Sequence, residues 1–264
     1  MVKQSFVIKC GGSTLAALPE SFYADMRKLQ QDGIIPVIVH GGGPAINDTL
    51  QRLGIESSFV NGLRKTSAEV LQVVEMVLGG RINKEIVRKI QASGAKAVGL
   101  SGIDGQLLQA RPVHNSYEIG FVGQVTGVNA ELVQAIVDLG FTPIIAPLGV
   151  DEQGQSYNIN ADTAAGAVAS HIGAERLIVV TDVPGIMRTS DGVKWVLPVV
   201  TVAEIEAMII SGEIYGGMIP KVRAAIDCIQ GQVGQVVIVD GSTPEVLSRV
   251  LGGDDSIGTI IVRD

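Results

Sequence analysis

Lysines set beside glycine-rich turns carry most of the chemistry this sequence offers. Lys9 closes an apolar run and is followed by Cys10, Gly11, Gly12 and Ser13. A lysine at the end of a buried strand points its ammonium into the crevice at the sheet edge. Glycines there let backbone N–H groups face an anion with no side chain in the way. Taken alone, the segment reads equally well as a structural turn whose lysine reaches solvent along its stem. A second apolar run ends the same way, in VIVHGGGP. Gly41, Gly42 and Gly43 lead into a helix beginning near Pro44, where unpaired N–H groups and the helix dipole together favour an anion. One glycine would suffice for a tight βα turn, so three favour close approach of a ligand. Neither turn is a G-x-x-x-x-G-K-[ST] loop, and the chain has no G-x-G-x-x-G. The chemistry implied is the holding of a phosphate or a carboxylate.

Further polar groups follow. Arg64, after Asn61-Gly62-Leu63, reads first as a solvated surface arginine and second as a two-pronged clamp for a carboxylate. In Tyr157-Asn158-Ile159-Asn160-Ala161-Asp162-Thr163, the alternation puts Asn158 and Asn160 on one side of an extended segment. Asp162 is either a helix cap or an anchor for substrate and lysines. Thr181-Asp182-Val183-Pro184-Gly185-Ile186 follows a buried strand. Asp182 suits a ribose or a base, although a Pro-Gly turn is the simpler local reading. Lys221 comes after Gly216-Gly217-Met218-Ile219-Pro220, in the first turn of a helix. A cation opposes the dipole there, and a local rule broken in this way points to a functional demand such as a polyphosphate.

The elements that must position these groups alternate β and α. SFVIKC, IIPVIVH, KAVGL, TPIIAPLGV, RLIVVTDV, QVVIVDG and GTIIV read as buried strands. Amphipathic helices lie between them, including a long one over 67–93 expected to kink at Gly79-Gly80. Residues 105–128 change to short glycine-punctuated segments that read as a β-hairpin. Continuous apolar strands with intervening helices imply an α/β fold, a three-layer αβα sandwich around a mainly parallel open sheet. Ligands sit at the carboxyl ends of the strands in such sheets. The expected organisation is one domain over 1–264, with an N-terminal lobe of about 1–173 and a C-terminal lobe of about 174–264.

Composition narrows the classes. The chain has 264 residues, 46% of them hydrophobic and 18% charged, which excludes disorder. No apolar run approaches the roughly 20 residues of a membrane span, and the start of the chain does not read as a signal peptide. Cys10 and Cys228 give no disulfide framework or metal spacing and read as reduced cytosolic thiols. The net charge of −7, with basic residues scattered singly, argues against nucleic acid. A polyanionic substrate would have to be held by a few local cations.

KxGGS, HGGGP, NGLR, NxNAD, TDVPGI and GGMIPK occur here in the order found in the amino acid kinase family, which the chain resembles from Lys9 to its last strand. NGLR and NxNAD resemble most the acetylglutamate kinases within it. The resemblance implies the carbamate kinase-like fold and transfer of the γ-phosphoryl group of ATP to the side-chain carboxylate of N-acetyl-L-glutamate. It implies that Lys9 and Lys221 contact the transferring group and that Asp162 holds both lysines. Gly11 and Gly12 would donate N–H groups to the phosphates. Gly42, Gly43, Arg64, Asn158 and Asn160 would bind acetylglutamate in the N-terminal lobe. Asp182, Val183, Pro184, Gly185, Ile186 and Met187, with Glu213, Ile214, Tyr215 and Gly217, would line the ATP site in the C-terminal lobe. Mg²⁺ would arrive with ATP, with no metal site of the protein's own. Some members carry an acidic residue where this chain has Gly216. Arginine-inhibited members have an extra helix before the first strand, where this chain has about four residues. The expectation is a cytoplasmic homodimer that arginine does not inhibit.

An acceptor carboxylate with a pKa near ~4.3 is ionised at neutral pH and needs no general base. His40 therefore reads as a strand-end residue, and His114 and His171 as surface or structural ones. Other acceptors on the same fold are aspartate, carbamate and nucleoside monophosphates. A regulatory protein on this fold would be expected to lack one of Lys9, Asp162 or Lys221, and a dehydrogenase would need the absent dinucleotide fingerprint.

Overall fold

The computed structural model describes residues 5–264 apart from Ala16, Asp191, Gly217, Gln232 and Asp255. Gly217, expected at the ATP site, thus lies outside the described residues. Eight strands form one sheet and are numbered here in chain order: β1 Phe6–Cys10, β2 Val37–His40, β3 Ala97–Ser101, β4 Thr142–Ala146, β5 Arg176–Thr181, β6 Val199–Thr201, β7 Gln235–Asp240 and β8 Thr259–Val262. Their spatial order is β6-β8-β7-β5-β1-β2-β4-β3. Every neighbouring pair is parallel except β7 with β8. The chain winds outward from β1 to one edge and then returns to lay β5 on the other side of β1. The switch point therefore falls between β1 and β5, where open α/β sheets form their ligand crevice. Cys10 is in register with His40 on one side and Val180 on the other, so the glycine turns and Thr181 meet at one sheet edge.

The period of two explains both cores. Val7, Val39, Val179 and Ile238 face one core, with helices Ala161–His171 and Met218–Gln230. Ile8, Ile38, Val180 and Val239 face the other, with helices Glu20–Gln31 and Val246–Leu251 and the long helical stretch 68–92. Strands covered on both faces are the reason the sequence shows continuous apolar runs. Lys9 shares its face with Val7, so its side chain is directed toward helix Ala161–His171.

Some elements depart from the sequence reading. The run 142–150 folds as two strands, because Pro147 has no N–H with which to continue a ladder. After it, Leu148–Val150 pairs in a small closed barrel with Leu108–Pro112, Val122–Val128 and Ser156–Ile159. The expected hairpin does pair antiparallel within 108–128, but as part of that barrel. Gly79 and Gly80 do not break the long helix. They lie in a π-helical stretch, Met76–Ile82, between α-helical segments.

Candidate active site

A cleft of about 320 Å³ opens at the carboxyl edge of the sheet, over the switch point. Lys9, Gly11, Gly12, Gly42 and Gly43 line it from the turns after β1 and β2. Arg64, Asn158, Asn160, Asp162 and Lys221 line it from elsewhere, so residues far apart in sequence share one cavity.

The buried Lys9 ammonium lies 2.8 Å from Asp162 Oδ1. Asp162 is free for this because it is not the helix cap. Asn160 caps helix Ala161–His171, its side-chain oxygen accepting from the N–H groups of Asp162 (2.9 Å) and Thr163 (3.2 Å). Two elements are thus tied through one ion pair of low exposure, the kind of pair that is costly to leave half-made.

The glycine turns touch. A Cβ at Gly12 would fall 2.7 Å from the Gly42 nitrogen and 2.9 Å from that of Gly43, so no residue but glycine lets the backbones approach this closely. A Cβ at Gly42 would collide with the methyl ends of Leu78 and Ile82, both from the π-helical stretch. Behind the turns, the fully buried His40 donates from Nδ1–H to Gly41 O at 3.0 Å. Its Nε2 accepts from the Asn83 amide at 3.3 Å. Asn83 also donates to Ile144 O at 2.8 Å. Burial pushes His40 down to about 4, so it is neutral and belongs to the scaffold.

Arg64 is not the surface residue that its local sequence suggests. Asn61 and Gly62, both at positive φ, form a two-residue turn between Phe59–Val60 and Leu63–Arg64, the turn type that favours Asn-Gly. It folds Arg64 back into the protein. The guanidinium is buried 4.6 Å from the Phe59 ring centroid, donates to Ser57 Oγ, and reaches Gly43 O at 3.4 Å. Among the described residues no carboxylate pairs with it. Burial lowers its pKa, but a guanidinium stays charged. Asn158 donates to Thr66 Oγ1 at 3.1 Å beside it. Among the described residues, Asp162 is the sole carboxylate lining a cleft that also holds Lys9, Arg64 and Lys221. The cavity is locally cationic in a chain of net charge −7.

Lys221 is placed differently from the expectation that Asp162 holds both lysines. Its Nζ donates to Thr181 Oγ1 at 2.6 Å and to Asp182 Oδ1 at 3.4 Å, both at the end of β5. Asp182 is itself held below the ordinary carboxylate range, first by the hydrogen bond from Thr181. Thr181 is buried on the cleft wall, and its signal in the sequence is its position as the last residue of a strand beside β1. Ser57, Phe59 and Leu78 have no such signal, because they matter only through contacts made on folding.

The stretches expected to bind ATP lie outside the cleft lining. Ile186 and Ile214 are core residues and offer only backbone, whereas Asp182, Pro184, Met187, Glu213 and Tyr215 are exposed and Val183 is half-buried. Gly185 is buried, and a Cβ there would collide with Val196 and Thr259. Arg188, the residue after the first stretch, pairs with Glu213 of the second at 3.1 Å. Cys10 and Cys228 are buried, and burial pushes both thiols up to about 12.

The sequence pattern of the amino acid kinase family matches residues 4–240. The acetylglutamate kinase of Syntrophomonas wolfei is 45% identical over 98% of this chain and 91% of its own. Among solved structures, smu.665 from Streptococcus mutans superposes with a TM-score of 0.86 at 31% identity, covering all of both chains. The carbamate kinase of Giardia lamblia gives 0.72 at 19% identity, over 100% of this chain and 99% of that one, which shows a shared fold.

Proposed function

The chain belongs to the amino acid kinase family, and on that premise we propose that it phosphorylates the side-chain carboxylate of N-acetyl-L-glutamate with ATP. The product is N-acetyl-L-glutamyl 5-phosphate, and the step is the second of arginine biosynthesis. The observation that carries this reading is the buried, carboxylate-free Arg64 facing the same cleft as Lys9 and Lys221. One cation awaits a fixed carboxylate, and two face the place where charge must move.

The reaction joins an acceptor carboxylate oxygen to the γ-phosphorus as the bond from that phosphorus to the β–γ bridging oxygen breaks, and ADP carries away the electron pair. No proton moves, which agrees with the neutral, buried His40. Catalysis is then positioning and charge stabilisation. Arg64 clamps the α-carboxylate, and Asn158 meets the acetamido group. Backbone N–H groups of Gly42 and Gly43 orient the acceptor, while those of Gly11 and Gly12 face the phosphates. Lys9, held by Asp162, and Lys221 neutralise the equatorial oxygens of the transferring group. The nucleotide occupies the stretches 182–187 and 213–215 in the C-terminal lobe, with acetylglutamate in the N-terminal lobe.

No group of three or more His, Cys, Asp or Glu side chains among the described residues could hold a metal alone. The fit is to Mg²⁺ carried by nucleotide phosphates, toward which Asp182, an exposed carboxylate 3.4 Å from Lys221, would be the protein's own oxygen donor. When bound, the ion would supply positive charge to offset that of the nucleotide phosphates. No helix among the described residues is long and apolar enough to cross a membrane, and a cytoplasmic homodimer is the assembly proposed. Light scattering at twice the protomer mass supports it, and a monomer rejects it.

The test is acyl-phosphate trapping by hydroxylamine with ATP, Mg²⁺ and N-acetylglutamate, glutamate, aspartate or carbamate. Hydroxamate from N-acetylglutamate alone is expected. Product from another acceptor instead would move the substrate, and none from any acceptor would reject the kinase reading.

A further inference from the structure

Thr181 stands at a junction to which the reaction as described assigns nothing. It is the last residue of β5, on the far side of the switch point from Lys9, and it is 4% exposed. Its Oγ1 lies 3.0 Å from Asp182 Oδ1 and 2.6 Å from Lys221 Nζ. The chemistry of the partners fixes the direction of both bonds. A carboxylate only accepts and an ammonium only donates, whereas a hydroxyl has one proton and two lone pairs. The Thr181 proton is therefore committed to Asp182, and its lone pairs are turned to Lys221.

Lys221 needs such a hold. It sits in the first turn of helix Met218–Gln230, where the dipole repels a cation. Its direct contact with Asp182 is long, at 3.4 Å, and the Asp182 side chain is 64% exposed, so water weakens that pair. Thr181 is buried, on a strand at the centre of the sheet, and makes the shorter bond. A lysine side chain otherwise has several rotatable bonds with which to leave the cleft.

We propose that Thr181 is a positioning residue for phosphoryl transfer: its hydroxyl, oriented by Asp182, holds the Lys221 ammonium in the cleft where the transferring group arrives. This rests on the kinase reading above. Valine at 181 keeps the β-branched shape and burial but accepts no hydrogen bond, whereas serine keeps the hydroxyl.

The experiment uses the full chain with Thr181→Val and Thr181→Ser, each first checked for an unchanged thermal unfolding midpoint. In the hydroxamate assay, Thr181→Val is expected to lower kcat by about tenfold to hundredfold, the scale of a lost hydrogen bond to a charged group. KM for N-acetylglutamate should stay within about twofold, since Arg64 and the glycine turns are untouched. Thr181→Ser should recover kcat to within about threefold of the parent. A KM rise in Thr181→Val with kcat intact, or a serine variant as slow as the valine one, overturns the proposal. A second readout needs no turnover: acetylation of Lys221 by an activated ester, followed by peptide mass spectrometry. Release from Thr181 should speed this labelling several-fold in Thr181→Val. An unchanged rate overturns the Thr181 contact even if the enzyme turns over. If the parent turns over no acceptor while labelling still responds, the kinase reading falls, and with it the catalytic purpose of the contact.

Discussion

Lys9 and Asp162, 153 positions apart in the chain, meet at 2.8 Å across the cleft, and the Asp162 carboxylate is available only because Asn160 caps the helix in its place. Asn160 thus holds the helix terminus while Asp162, two positions on, holds the Lys9 ammonium.

Asp162→Asn should therefore leave helix Ala161–His171 intact and disturb only the charge beside Lys9. The expected result is a fall in kcat of about tenfold to hundredfold, with the circular dichroism spectrum unchanged. Asn160→Ala should instead lose about 1 kcal/mol of unfolding free energy, the cost of a removed cap. Urea denaturation and the hydroxamate assay on both variants check the split. Equal stability losses would show that Asp162 has a structural share.

Gly12 and Gly43 offer a contrast within a single cleft. A Cβ at Gly12 meets backbone atoms of Gly42 and Gly43, which cannot move aside as a side chain can. A Cβ at Gly43 meets nothing within 4 Å. Gly12→Ala should lose at least about a hundredfold in kcat by prising the turns apart and about 1–3 kcal/mol of stability. Gly43→Ala, which keeps its N–H and meets no protein atom, should leave unfolding stability within about 0.5 kcal/mol of the parent. Steady-state kinetics with both substrates and urea midpoints decide it, and a mild Gly12→Ala would mean that the turns tolerate separation.

Lys9 and the glycine turns stand at the ends of apolar runs, and Lys221 opposes the dipole in the first turn of its helix, so each has a local signal in the sequence. Arg64 was misread because its burial comes from a hairpin that folds it onto Ser57, Phe59 and Gly43, and local spacing favours solvent for any lone arginine. The hold of Thr181 on Lys221 joins positions 181 and 221, and the His40–Asn83 contact joins a strand end to the first residue of the α-helix that follows the π-helical stretch. Neither leaves a local signature, because each is a long-range pairing fixed only when the sheet order is fixed. The split at Pro147 did have a signature, the missing N–H, which the surrounding apolar run obscured.

His40 gives a pH dependence with a defined sign. In the unfolded chain it titrates near 6.5, whereas in the folded protein burial holds it down to about 4. Between those values the unfolded state binds more protons, so stability present above 6.5 is lost as pH falls toward 4, by about 3 kcal/mol over the full window. His40→Gln removes the titration. Its urea midpoint should fall less steeply than that of the parent between pH 6.5 and 4.5, with the carboxylates common to both. Parallel slopes would mean that His40 is reachable by protons in the native state. The rate should show no dependence on a group titrating near 6.5, since His40 neither gives nor takes a proton in the transfer.

Arg64→Lys keeps the charge and removes the fork. A lysine ammonium is a compact, strongly hydrated point charge, and it would have to shed water in a site that, among the described residues, offers Ser57 Oγ, Gly43 O and the Phe59 face. It cannot make two parallel hydrogen bonds to a carboxylate. Losing one charge-assisted bond of about 1.5–3 kcal/mol corresponds to a rise of roughly tenfold to a hundredfold in KM for N-acetylglutamate. KM for ATP should be unmoved, and kcat should fall less than kcat/KM, because the α-carboxylate carries no charge change during transfer. Steady-state kinetics with each substrate varied in turn makes the measurement. A kcat collapse at unchanged KM would place Arg64 on the phosphoryl group and require the acceptor to bind the other way round in the cleft.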